Sequence, residues 1–207
     1  NVAITFAETT TSGACPDAYT ITRTWTATDN CGNTDVQLQV ITVQDTTAPA
    51  LTGTIPSGAI NQDLCFSAIP AGPSETDIAA LYTDNCNGAI TVVKTGTPSG
   101  DDCDWTVTYN YTIKDNCNNF ATAVDITYSG GDTTPPAFSS CPTDISISSD
   151  VDKCSAVVSW TQPIAGDNCT IASLTSNFNP GATFPVGTTT VTYTATDGAG
   201  LTAECSF

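Results

Sequence analysis

The chain has 207 residues, 21 acidic side chains against four basic ones, a net charge of -17, ten cysteines and no histidine. This balance argues against nucleic acid and anionic membrane surfaces as partners, and the lack of histidine removes the usual base for a serine or cysteine nucleophile. No apolar run is long enough for membrane insertion, and no Gly-x-Ser-x-Gly elbow or phosphate-binding glycine loop is present, so the chain does not read as an enzyme.

In chain order, short alternating runs of Thr, Val, Ile, Tyr and Trp are separated by Gly, Pro, Asn and Asp clusters, which predicts strands throughout. Asn1 to Thr5 aligns with Asn87 to Thr91, so the chain is expected to begin in the middle of a repeat. Arg23 to Asp29 is a strand ending in Asp-Asn-Cys, and Asp45 to Pro49 is a short stiff linker, because proline cannot continue a ladder. Ser74 to Tyr82 is the one helical segment, with Ser74 and Asp77 spaced as an N-terminal cap. Trp105 to Lys114 and Val124 to Tyr128 are strands, Asp132 to Pro136 is a second linker, and Ala156 to Trp160 and Thr188 to Thr196 are further strands. The chain is expected to end inside a strand at Phe207.

Asp-Asn-Cys occurs four times, at Asp29, Asp84, Asp115 and Asp167, and Asp29, Asp115 and Asp197 close matching strands 86 and 82 residues apart. That period is the length of a small β-sandwich. Small sandwiches have modest cores, and cysteines spaced along strands without Cys-x-x-Cys pairs indicate disulfides in an oxidising compartment rather than zinc. The expected fold is all-β, with tandem immunoglobulin-like β-sandwiches stabilised by disulfides. Residues 1–46 are the C-terminal half of one repeat, 47–133 a complete repeat, and 134–207 a further module truncated in its last strand.

The text Pro135-Pro136, Cys141-Pro142, Cys154-Ser155-Ala156, Trp160, Asp167-Asn168-Cys169, Phe184 to Thr189, Thr192 to Asp197 and Cys205-Ser206-Phe207 resembles the hyalin repeat, an Ig-like extracellular module. Leu201 departs from the asparagine common in that family, a departure that puts nothing essential of the resemblance in doubt. Residues 47–133, and the half repeat before them, are similar to cysteine-containing Ig-like repeats of large bacterial surface adhesins, commonly exported by type IX secretion. The resemblance implies a structural or adhesive segment of a secreted cell-surface protein, forming an extracellular stalk or fibre. Its implied partners are neighbouring repeats, surface glycans or other cells, and copies of itself assembled head to tail. The alternative is a carbohydrate-binding module, which needs an exposed aromatic platform. Trp25, Tyr111 and Tyr193 occupy equivalent strand positions and are expected to pack in cores instead.

An Ig-like strand order puts Cys103 and Cys117 at opposite ends of one strand, about 40 Å apart at ~3.3 Å per residue, so they do not pair. It places Cys65 opposite Cys103 and Cys86 opposite Cys117, leaving Cys15 and Cys31 with partners upstream. For the last module, family members with two cysteines favour Cys141 with Cys205, which leaves Cys154 with Cys169; Cys141 with Cys169 and Cys154 with Cys205 stays open. The fold requires no cofactor, but the same order gathers Asp45, Asp84 and Asp115 at one junction and Asp132, Asp167 and Asp197 at the next. Three carboxylates supply part of the six to eight oxygens of a calcium site, whereas aspartates that only close turns supply none. The exposed Asp-Thr-Thr linkers make Thr46 and Thr133 candidate O-glycan acceptors.

Overall fold

A computed structural model describes residues 1–16, 18–86 and 88–207; Asn87, one end of the alignment with Asn1, lies outside them. The protein is all-β, with a single α-helix and one 3-10 turn among the described residues. No helix of the described residues is long and apolar enough to cross a membrane. Contacts divide the chain into two compact units, residues 1–57, 72–96 and 109–126, and residues 58–71, 97–108 and 127–207. The first contains the linker at Asp45 and the second the linker at Asp132.

In the first unit, β1 (Val2–Ser12), β2 (Tyr19–Asp29) and β3 (Thr34–Val43) form an antiparallel sheet in that order. The register pairs Phe6 with Trp25 and Tyr19 with Val43, so side-chain alternation collects Ile4, Phe6, Tyr19, Trp25 and Val43 on one face. Every residue of β1 is nevertheless exposed, and Trp25 keeps 36% of its surface in water. Trp25 therefore departs from the expected core packing, although its Phe6 neighbour lies 5.4 Å away ring to ring.

β4 (Ala50–Leu51), β5 (Gln62–Asp63), the 3-10 turn at Phe66–Ala68 and α1 (Glu75–Ala79) follow. Helix α1 starts where Ser74 accepts the Asp77 N–H while the Asp77 carboxylate accepts the Ser74 N–H, a reciprocal cap that stabilises a helix too short to persist alone. β6 (Tyr82–Thr83) pairs with β4; then come β7 (Thr91–Thr95), β8 (Ser99–Gly100), β9 (Trp105–Lys114) and β10 (Val124–Gly131). β9 and β10 are neighbouring strands with residues in both units. Strict alternation in β9 buries Trp105, Val107, Tyr109, Tyr111 and Ile113, which is why a ten-residue run of Thr and aromatics is a strand at all. In the first unit Tyr111 is fully buried and its hydroxyl donates to the Pro73 carbonyl at 2.7 Å, while the Lys94 ammonium lies 4.1 Å from the Tyr109 ring centre.

The second unit adds β11 (Ala137–Ser140), β12 (Ser155–Val158), β13 (Ile164–Gly166), β14 (Ile171–Ser176), β15 (Ala182–Pro185), β16 (Thr192–Asp197) and β17 (Thr202–Ser206). β14, β16 and β17 form one sheet, β11 pairs with β13, and β12 pairs with β15. Val191, Tyr193 and Cys205 are the buried centre, packed against Phe138, Trp160, Leu174, Phe178, Phe184 and Phe207. Trp160 donates its indole N–H to the Tyr193 hydroxyl at 2.8 Å. The same three-strand arrangement thus recurs as β1-β2-β3, β7-β9-β10 and β14-β16-β17. Its middle strand ends at the matching aspartate in β2 and β16, Asp29 and Asp197, and in β9 one residue before it, ahead of Asp115.

Replacing Tyr111 by Phe removes one buried hydrogen bond and leaves the Pro73 carbonyl to the Lys94 ammonium alone, and is expected to cost about 1 kcal/mol in chemical denaturation. The same change at Tyr128, which is half-buried, is expected to cost less.

Candidate functional site

The aspartates order the loops. In seven loops an aspartate Oδ1 accepts the backbone N–H two residues on: Asp29 from Cys31, Asp45 from Thr47, Asp84 from Cys86, Asp101 from Cys103, Asp115 from Cys117, Asp132 from Thr134 and Asp167 from Cys169, at 2.7 to 3.1 Å. The side chain takes the place of a backbone carbonyl and fixes the turn, so the cysteine two residues later leaves the loop in a set direction.

Where Asp-Asn-Cys follows the middle strand, an asparagine four residues after the aspartate completes the turn. Asn33 gives its backbone N–H to Asp29 Oδ1 and its amide to Asp29 Oδ2; Asn119 does the same for Asp115. Burial opposes ionisation of Asp115, but the donors of Asn119, Cys117 and Asn118 outweigh it and hold the carboxyl below its ordinary value. At Asp197 the fourth residue on is Leu201, which supplies the backbone N–H at 2.8 Å and no amide. Asp197 Oδ2 is consequently buried without a partner. Leu201 thus withholds the side-chain amide that Asn33 and Asn119 supply at the matching turns.

Three disulfides close among the described residues: Cys15 to Cys117, Cys65 to Cys169 and Cys141 to Cys205. The expected pairs Cys65 with Cys103, Cys86 with Cys117 and Cys154 with Cys169 are not formed, and Cys15 is not an orphan. The sequence argument placed Cys65 and Cys103 at the same end correctly: Phe66 donates its N–H to Asp102, next to Cys103. It failed because both sulfurs face loops from later in the chain. Cys65 reaches the Asp167 loop, while the Cys103 thiol donates to the Ala199 carbonyl at 3.2 Å. Ala199 stands two residues after Asp197, as Cys117 stands two after Asp115, so Cys103 meets alanine where its counterpart Cys15 meets a cysteine. Local desolvation, then the charges of Asp101, Asp197 and Asp102, push the Cys103 thiol up. Cys31, Cys103 and Cys154 are free thiols, and Cys86 stays outside the three disulfides.

The structure brings Asp45 and Asp84 together with Cys86, and Asp132 and Asp167 together with Cys169; in each set one candidate ligand atom per residue lies within 4.8 Å of the others. Asp115 joins the first set only indirectly, through the Asn119 amide that also donates to the Asp45 carbonyl at 3.2 Å. Burial pushes the Asp132 carboxyl above its ordinary value against the Thr134 and Asn168 donors, and the charges of Asp167 and Asp197 push it in the same direction as burial. Sequence reasoning missed Asp63, which accepts from the Thr133 N–H and the Thr134 hydroxyl and so anchors the second linker. No local motif marks it, because its partners are 70 residues away.

Asn119→Ala removes the amide from Asp115 Oδ2 and is expected to cost about 1 to 3 kcal/mol at neutral pH. The folded value of Asp115 lies below its ordinary 3.8, so its contribution is complete above that value and disappears as pH falls through the folded value. Without the amide the folded value rises, and acid unfolding followed by circular dichroism is expected to begin at higher pH than in the parent.

Residues 131–207 match the model of the HYR domain. The chain is 36% identical over 178 residues to hyalin of Strongylocentrotus purpuratus, covering 81% of this chain and 14% of that protein. It is 32% identical over 189 residues to hyalin of Lytechinus variegatus, covering 89% of this chain and 34% of that one. A shorter stretch of 71 residues is 39% identical to the sushi, von Willebrand factor type A, EGF and pentraxin domain-containing protein 1 of Rattus norvegicus. The chain spans 14% and 34% of the two hyalins it matches. These matches support a HYR-type repeat over residues 131–207.

Proposed function

We propose that this chain is a segment of an extracellular adhesion-type protein in which successive Ig-like repeats are stapled to one another, making a stiff stalk or fibre. Residues 1–46, 47–133 and 134–207 are the successive repeats, the first a half. The observation that carries this reading is the disulfide pattern. With the repeat bounds read from the sequence, Cys15 to Cys117 joins the first repeat to the second and Cys65 to Cys169 the second to the third, and each bridge lies inside one of the two compact units, which therefore draw on more than one repeat. A protein that served only as independent binding beads would gain nothing from cross-linking its beads. One built to hold a direction does.

The partners of the chain in this reading are its neighbouring repeats, copies of itself joined head to tail, and ligands on other cells. A bacterial cell-surface source with type IX export rests on the repeat resemblance of residues 47–133, since the matched relatives are animal proteins. The carbohydrate-binding alternative gains nothing from Trp105, Tyr111 and Tyr193, which are buried; the exposed Phe6, Tyr19 and Trp25 are the aromatic face it would have to use. Thr46 and Thr133, both exposed, are the O-glycan acceptors of this reading. Mass spectrometry of the linker peptides from the native source is expected to find added hexose, and bare linkers would remove that part.

A non-reducing peptide map tests the staples, and cleavage at aspartate suits a chain so rich in it. It is expected to yield the Cys15–Cys117 and Cys65–Cys169 peptides, whereas Cys65–Cys103 with Cys86–Cys117 would make each repeat self-contained and overturn the stapled stalk. The double variant Cys65→Ser, Cys169→Ser is expected to lose about 2 to 5 kcal/mol of stability, since the bridge closes a loop of roughly a hundred residues.

A further inference from the structure

We propose that the loops of the second unit around Asp132, Asp167 and Asp197 form a binding site for a divalent cation of the calcium class. The Oδ2 atoms of all three carboxylates are shielded from water and make no hydrogen bond, although the Asn168 amide lies close enough to Asp132 to favour its charged form. Asp132 and Asp197 are among the few buried charged residues of the protein, at 5% and 2% exposure. Unpaired charge in such places is among the most unfavourable arrangements a fold can hold, and three like charges compound it.

The arrangement is oriented. In each carboxylate Oδ1 is held by a backbone N–H, from Thr134, Cys169 and Leu201 respectively, which leaves Oδ2 for something else. Asp132 and Asp167 present their ligand atoms within 4.8 Å of one another. The third member of that cluster, the Cys169 sulfur, is bonded to Cys65 and offers no thiolate. What remains is a set of hard anionic oxygens, which suits calcium and disfavours zinc or copper.

Comparison with the first unit explains why the second is the better site. There Oδ2 of Asp45 and of Asp84 are likewise buried and unpartnered, but the second oxygen of Asp115 is occupied by the Asn119 amide. Leu201 in place of that asparagine leaves the third carboxylate oxygen available, so the substitution converts a hydrogen-bonded turn into a ligand. The site rests on the geometry of these loops and gives the stalk reading a way to stiffen a junction at extracellular calcium concentrations; its failure would leave the disulfide map untouched.

The experiment uses the full chain, stripped with a chelator, in thermal unfolding and calorimetric titration with calcium chloride. The midpoint is expected to rise by about 3 °C or more at 10 mM calcium, with a smaller rise in magnesium. Asp132→Asn and Asp197→Asn keep the Oδ1 acceptor while removing charge. Each is expected to melt no lower than the parent in chelator and to lose most of the calcium shift. Leu201→Asn restores the amide without touching a carboxylate and is expected to weaken calcium binding at least threefold. No heat and no shift at 10 mM calcium in the parent would overturn the proposal, as would a shift that persists undiminished in the Asp132→Asn, Asp197→Asn double variant.

Discussion

The hydrogen bond from a backbone N–H to the aspartate two residues before it is the constraint on which the rest of this protein depends. It costs the chain one carboxylate oxygen per turn and fixes where the next residue points. Five of the seven such bonds deliver the N–H of a cysteine, Cys31, Cys86, Cys103, Cys117 or Cys169. A disulfide forms only when two Cα atoms come within about 7 Å in the right orientation, and two of these five cysteines, Cys117 and Cys169, meet a partner so placed. The repeated Asp-Asn-Cys text is then a single device, in which the first residue positions the third.

The same device explains the acidity. The protein has four basic side chains, and the one ion pair among the described residues joins Arg23 to Glu8 at 2.7 Å. The aspartates are instead neutralised locally by N–H dipoles, one oxygen at a time. Where both oxygens find donors, as at Asp115, the charge is held comfortably. Where one does not, charge accumulates in the fold, and the loops around Asp132 are the place where it accumulates most.

Much of this was legible in the sequence because it is local. Alternation of Thr with aromatics marks β9 from Trp105 to Lys114, and the Ser74 and Asp77 spacing marks the cap of α1. Asp45 comes to Asp84 and Asp132 to Asp167, whereas the second oxygen of Asp115 is taken by a residue four positions on and Asp197 stands outside the second cluster, acting on Asp132 through its charge. Cys141 with Cys205, expected from the family resemblance, is formed, but the other two disulfides were not legible: Cys65 was matched within its own repeat and Cys15 to a partner upstream, while they bond partners 104 and 102 residues later. Nothing in a cysteine's neighbours in sequence reports on a loop that distant. Trp25 sits at the same strand position as Tyr111 and Tyr193, yet stays partly wet, since periodicity specifies which face a side chain takes and not whether anything covers that face.

The three disulfide loops interleave: Cys15 to Cys117 overlaps Cys65 to Cys169, which overlaps Cys141 to Cys205. Every peptide bond between residues 15 and 205 therefore lies inside at least one covalent ring. A protease that cuts once in that span opens a ring and releases no fragment. Tension meets the same limit, because the shortest covalent route from Cys15 to Cys205 crosses two bridges and only the residues from Cys117 to Cys141. That stretch can pay out roughly 80 Å at ~3.4 Å per residue, against several hundred for the unbridged chain, so even a fully unfolded segment would behave as a tether of nearly fixed length.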